Sequence, residues 1–159
     1  MNQVPANLIY CPIRKINVAA LPEEIIRQKL IACMTQQLGF PLSYLAVEKE
    51  LRQMPHLKLV NNKVPQRRAD LICFSKEIHP QHSLYPLLIV ECKAVKLTLK
   101  VARQVAGYNH FVGAYFVAIA NESDVKTGWY DSVRKEYIFV DYLPSYDQLR
   151  AEALKQNLR

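Results

Sequence analysis

The sequence predicts an α/β fold, a mixed sheet with helices on its faces. Three observations carry this. Three strand-like segments follow one another between two segments of helical periodicity, which points to an antiparallel meander. A helix then separates the third strand from a fourth, strongly apolar one, and such a crossover brings the chain back parallel to the strand it left. The 159 residues are 50% hydrophobic and 22% charged, the balance of one folded domain with a full core rather than of a disordered chain.

Each element has a local reason. Residues 1–20, with Pro5, Pro12 and scattered apolar positions, read as an irregular arm or short strand. Pro22 opens a helix at its first turn, where a missing N–H costs little. Glu23 and Glu24 follow at the positive end of the helix dipole. Ile26, Leu30, Cys33, Met34 and Leu38 recur at helical spacing until Gly39 and Pro41, so the spacing predicts a helix over 22–38. Tyr44–Leu51 alternates as a strand. Pro55, Asn61-Asn62 and Pro65 place a hairpin or long loop over 52–68, and Arg68–Phe74 is a second strand.

Ser75–Tyr85 reads as a connecting loop, with turn signals at Pro80 and Pro86. Leu87–Cys92 is apolar throughout and is expected at the centre of the sheet. Leu97–Val112 reads as the second helix, Tyr115–Ala120 as the fourth strand and Tyr137–Val140 as a fifth. Ser145 with Gln148 three residues on is a capping-box pattern that opens a terminal helix to about Asn157.

Composition excludes several functions. Only four glycines occur, at 39, 107, 113 and 128, too scattered for a phosphate-binding loop or a GxGxxG fingerprint. The four cysteines at 11, 33, 73 and 92 form no CxxC pair and read as reduced thiols of a cytoplasmic protein, with Cys33 and Cys73 in the core. The longest apolar runs, Pro86–Val90 and Phe116–Ala120, are too short to span a bilayer, and Met1–Pro5 does not begin a signal peptide. Lys plus Arg outnumber Asp plus Glu by 21 to 14, a net charge of +7. That excess suits a polyanion such as nucleic acid, and equally suits a merely soluble surface.

The charged residues inside apolar strands carry the chemical information. Asp70 sits within Arg68-Ala-Asp-Leu-Ile-Cys-Phe74, and Glu91 and Lys93 end Leu87-Leu-Ile-Val-Glu-Cys-Lys93. An unpaired buried charge is expensive, so such residues need a reason. Alternation puts Glu91 and Lys93 on one face and Cys92 on the other, which argues against a Cys92 nucleophile. Two carboxylates at adjacent strand ends could hold Mg²⁺, which prefers oxygen ligands, with the lysine polarising a water. The plainer alternative is a salt bridge from Asp70 or Glu91 to Lys93. Gln104 and Tyr108 share one face of the second helix. His79-x-x-His82 lacks the cysteine partners that a zinc site would use.

The ordered set Pro22-Glu23-Glu24-x-x-Arg27, Arg68-Ala-Asp70, Val90-Glu-Cys-Lys-Ala94 and Gln104-x-x-x-Tyr108-Asn109 resembles the PD-(D/E)XK nuclease superfamily. More narrowly, it resembles the N-terminal nuclease domain of type I restriction enzyme R subunits. The resemblance covers about residues 20–121. It implies a restriction-endonuclease-like core of helix, three strands, helix and strand, with residues 122–159 as a C-terminal strand-helix extension of a single domain.

It also implies a Mg²⁺-dependent endonuclease, with Mn²⁺ as a substitute. Asp70, Glu91 and the Cys92 backbone carbonyl would bind the metal. Lys93 would position water or stabilise phosphate charge. Glu24 would complete the acidic cluster, with Glu23 competing for that role and Arg27 bracing it. Gln104 and Tyr108 would support the site or contact DNA. Arg67, Arg68, Lys63, Lys96, Lys100 and Arg103 are candidate phosphate contacts. Ala69 departs from the proline of the motif.

In the restriction subunits this domain is fused to a motor, and here none follows. A homodimer or a separate targeting or motor protein is therefore expected beside DNA, and no membrane. The competing reading is a non-catalytic or partner-dependent nucleic-acid-binding module that keeps the nuclease fold. A structural or assembly role finds support only in the apolar terminal segments.

Overall fold

In the computed structural model, which describes residues 7–57 and 64–158, the chain opens with β1 (Leu8–Cys11) and β2 (Ile16–Ala19), then α1 (Pro22–Gln36). It continues through β3 (Leu45–Glu50), β4 (Arg68–Lys76), β5 (Leu84–Cys92) and α2 (Leu99–Val112). β6 (Phe116–Ala120), β7 (Val125–Asp131), β8 (Glu136–Val140) and α3 (Tyr146–Gln156) complete it. The Asn61-Asn62 turn signal and Lys63 lie outside the described residues.

β3 to β8 form one six-stranded sheet in chain order. β3, β4 and β5 are antiparallel neighbours, and the α2 crossover makes β5 and β6 parallel, as the sequence predicts. β7 and β8 continue the sheet antiparallel. The architecture is α/β, with helices on both faces. Ile31 and Met34 of α1 and Leu149 and Ala153 of α3 pack with Leu71, Leu88, Val90 and Ala118 on one face. Ala102, Val105 and Val112 of α2 pack with Ile72, Ile89, Val117 and Ile119 on the other. β5 is buried from Pro86 to Cys92, which is why it reads as an unbroken apolar run.

The caps decide where the helices sit. The Thr98 hydroxyl accepts from the Val101 N–H at 3.3 Å, so α2 starts two residues later than its apolar periodicity implies. Gly113 ends it at φ +70, a left-handed position open to glycine at little cost. Ser145 and Gln148 form the expected reciprocal capping box at the start of α3.

Several expectations are corrected. The N-terminal arm is a β1–β2 hairpin in its described part. Ser75, Lys76, Leu84 and Tyr85 belong to strands, so the expected loop shrinks to 77–83. Pro86 sits inside β5 opposite Phe74, where the register shifts and its missing N–H is tolerated. Val125–Asp131, with Trp129 and Tyr130, forms β7, a strand that the sequence pattern does not announce. Gly128 hides that strand in the sequence. A Cβ there would lie 2.5 Å from the Phe139 ring, so the glycine makes room for an aromatic from β8. Cys33 is half-buried, unlike Cys73, because it lies toward the outer face of α1.

Candidate functional site

The β4–β5 register pairs Leu71 with Val90. One step further along, Asp70 and Glu91 therefore oppose each other on the same side of the sheet. Glu91 continues the side of Ile89, toward α2, while Cys92 continues the side of Val90, toward α1. Asp70 is half-buried and Glu91 is 3% exposed. The Cys92 N–H donates to Asp70 Oδ2 at 3.0 Å, and Arg27 Nη1 donates to the Asp70 carbonyl at 3.2 Å. Asp70 is thus held both by the backbone of the neighbouring strand and by α1.

Burial pushes the Glu91 carboxyl up to about 8 from an ordinary 4.5, helped by the charge of Asp70 and a hydrogen bond to it, against the opposing charges of Lys93 and Arg67. Two carboxylates side by side cannot both ionise cheaply, so one keeps a proton. Between pH 4.5 and 8 the folded chain therefore holds a proton that the unfolded chain has lost, and its stability falls as pH rises through that window. Glu91→Gln removes this loss. Without metal it is expected to melt no lower than the wild type at pH 5 and to gain about 1–3 kcal/mol on it above pH 8. A mutant that melts below the wild type at high pH would make Glu91 a structural group.

Lys93 follows β5 and is half-buried, its N–H held by the Ala120 carbonyl at 2.9 Å. Among the described residues it forms no ion pair with Asp70 or Glu91, so the plain salt-bridge alternative has no contact behind it. Burial, followed by the charge of Asp70, pushes the Cys92 thiol up to about 12. That leaves it protonated and a poor nucleophile.

Glu24 and Glu23 separate cleanly. Glu23 is exposed, whereas Glu24 is buried at the first turn of α1. Glu24 pairs with Arg14 at 2.5 Å and with Arg27, and accepts from Gln28 Nε2 at 2.8 Å. Burial pushes its carboxyl up, but the hydrogen bonds from Arg27 and Gln28 and the charges of Arg27 and Arg14 outweigh it, so it lies below the usual value. Arg27 also reaches Glu48 at 3.5 Å. It therefore links Glu24 to Asp70 through the Asp70 backbone.

On the α2 side, the Arg67 guanidinium lies 3.4 Å from the centre of the half-buried Tyr108 ring. Arg67 thereby ties the QxxxY element to the start of β4. Gln104, Lys96, Lys100 and Arg103 are exposed around the same helix. Arg68 turns instead to Glu50 at 3.5 Å, on the β3 edge. His79 and His82 do not face the acidic pair. They stack on Tyr85, and His56 packs against the same ring at a tilt.

Sequence reasoning missed Arg14, Gln28 and Glu48. Gln28 stands four residues from Glu24, a helical spacing that could have shown it. Arg14 comes from the β1–β2 turn and Glu48 from an edge-strand residue at φ +50, and neither leaves a periodic signal.

A mixed α/β sheet with this element order, carrying an acidic pair and a lysine where β4 and β5 meet, is restriction-endonuclease-like. The chain belongs to the family of the type I restriction enzyme R protein N terminus, which matches residues 22–144. That match takes in α1, the acidic pair, α2 and the β7–β8 hairpin, and links the chain to a nuclease-related role. No curated protein and no solved structure matches the chain. No described helix is long and apolar enough to cross a membrane.

Proposed function

We propose that this chain is a Mg²⁺-dependent endonuclease of the PD-(D/E)XK type that hydrolyses phosphodiester bonds in DNA. The observation that carries the reading is the opposition of Asp70 and Glu91 where β4 and β5 meet, with Glu91 buried and its carboxyl pushed up by burial and by the charge of Asp70. Among the described residues neither carboxylate forms an ion pair. The charges of Lys93 and Arg67 offset Glu91 only in part, and a divalent cation would complete the neutralisation.

The donor set fits Mg²⁺. Among the described residues no group of three or more His, Cys, Asp or Glu side chains assembles to hold a metal, but Mg²⁺ needs only one or two carboxylates and keeps several waters. Asp70, Glu91 and the Cys92 carbonyl would hold it. When bound, it would lower the pKa of a water and offset charge on the scissile phosphate.

The chain's own residues do the rest. Lys93 orients the attacking water or neutralises charge developing on the phosphate. Arg27, anchored on Glu24, keeps the Asp70 backbone in place. Arg67, over Tyr108, and the exposed Lys96, Lys100 and Arg103 engage the DNA backbone through salt-dependent contacts. One observation favours the alternative, a partner-dependent binding module of the cytoplasm. Glu24 is fully engaged by Arg14, Arg27 and Gln28, which leaves Asp70 and Glu91 as the two carboxylates of the cluster outside an ion pair among the described residues.

Plasmid nicking separates the readings. The chain is expected to nick supercoiled DNA with Mg²⁺ or Mn²⁺, to stop on chelation, and to lose activity in Asp70→Asn. Salt-dependent DNA binding without any nicking would instead establish the binding module.

A further inference from the structure

The main sheet ends in β3 on one side and β8 on the other, and the two edges are built differently. In β3, Glu48 has φ +50 and is skipped in the register with β4, and Lys49 and Glu50 follow it. A kink and a run of charge are what keep an exposed edge from pairing with another chain. β8 has neither. It runs in unbroken register with β7 from Glu136 to Val140, contains no proline, and presents Tyr137, Ile138, Phe139 and Val140, all half-buried. Among the described residues no strand lies beside its outward N–H and C=O groups, and Tyr130 and Tyr142 nearby are 54% and 58% exposed.

The sequence around β8 is complementary to itself. Consider two copies of the strand set antiparallel about a two-fold axis through Ile138. Tyr137 of each then faces Phe139 of the other, an aromatic cross-strand pair formed twice. Lys135, in the turn before β8, comes beside Asp141 of the other copy, and Arg134 beside Tyr142. Asp141 can receive it: its side chain is 84% exposed, and Lys126 holds only one of its oxygens, at 2.5 Å. A two-fold interface repeats every such contact, so one charge pair counts twice.

We propose that two copies of this chain dimerise by antiparallel pairing of their β8 strands, joining the two sheets into one. The edge supplies backbone hydrogen bonds, the aromatic residues supply buried area, and the Lys135–Asp141 pairs fix the register. The inference stands apart from the nuclease reading and uses none of its residues.

Analytical ultracentrifugation of the full chain, from micromolar to near-millimolar concentration, tests it. The wild type is expected to show a monomer–dimer equilibrium, and amide exchange at 137–139 is expected to slow as the dimer fills. Lys135→Glu and Asp141→Lys should each weaken dimerisation by about tenfold or more, because each places like charges together at two symmetric points. The double swap should recover most of that loss. Both positions are exposed, so the variants are expected to fold, and their thermal melts check this. A wild type that stays monomeric, leaving β8 to a strand of another protein, overturns the proposal. So does a dimer indifferent to the single swaps, or one that the double swap fails to restore.

Discussion

Lys93→Ala is expected to reduce Mg²⁺-dependent DNA cleavage by about 10²–10³-fold, the usual cost of removing one preorganised group that stabilises developing charge. The fold should survive. What anchors this segment is the Lys93 N–H on the Ala120 carbonyl, a main-chain bond that alanine keeps. The side chain does a second thing, because its charge opposes the upward push on the Glu91 carboxyl. Without it Glu91 holds its proton more tightly, and a proton competes with a metal for the same oxygens. The rising limb of the pH–rate profile should therefore move to higher pH in Lys93→Ala, and the Mg²⁺ concentration for half-maximal rate should rise. Lys93→Arg keeps the charge and should leave the pH limb in place while still losing rate, since a planar guanidinium does not substitute for a compact ammonium. Single-turnover nicking across pH, with both variants, separates these effects. Wild-type activity in Lys93→Ala would remove Lys93 from the mechanism altogether.

What the sequence disclosed, it disclosed where local physics and tertiary structure agree. The capping box at Ser145, the proline opening α1 and the two-sided apolar run of β5 each dictate their element without help from distant residues. The strand order follows from the α2 crossover, and the opposition of Asp70 and Glu91 follows from two strand ends meeting in an antiparallel pair. β7 stayed hidden because Val125–Asp131 is polar and interrupted by Gly128, whose purpose appears only when Phe139 lies over it. The β1–β2 hairpin stayed hidden because it buries little beyond Cys11, so hydrophobic alternation has almost nothing to report. The surroundings of Glu24 were half legible. Arg27 and Gln28 lie on its own helix, but Arg14 arrives from a turn ten residues upstream, placed by how the hairpin docks and not by any spacing.

That docking yields the second large effect, in stability. Arg27→Met is expected to destabilise the fold by about 2–3 kcal/mol, somewhat below the usual range for breaking a buried ion pair from one side, because Arg14 and Gln28 remain on Glu24. Arg27 is 5% exposed and serves Glu24, Glu48 and the Asp70 carbonyl together. Methionine fills the space but leaves Glu24 short of charge and the carbonyl short of a donor. The sign with pH follows from the depressed Glu24 carboxyl. Its ionised form favours folding above the ordinary carboxylate range, and that contribution is lost as pH falls through the folded value. The deficit of Arg27→Met should therefore be full at neutral pH and shrink in acid, as urea titrations at both pH values can measure. The same cluster decides whether Glu24 serves metal or fold. With its oxygens already taken by Arg14, Arg27 and Gln28, Glu24→Gln should lower stability and leave Mg²⁺ affinity nearly unchanged, whereas Asp70→Asn should do the reverse. A loss of Mg²⁺ affinity in Glu24→Gln as large as that in Asp70→Asn would mean that metal binding pulls Glu24 out of its ion pairs, making Arg27 the residue that releases it.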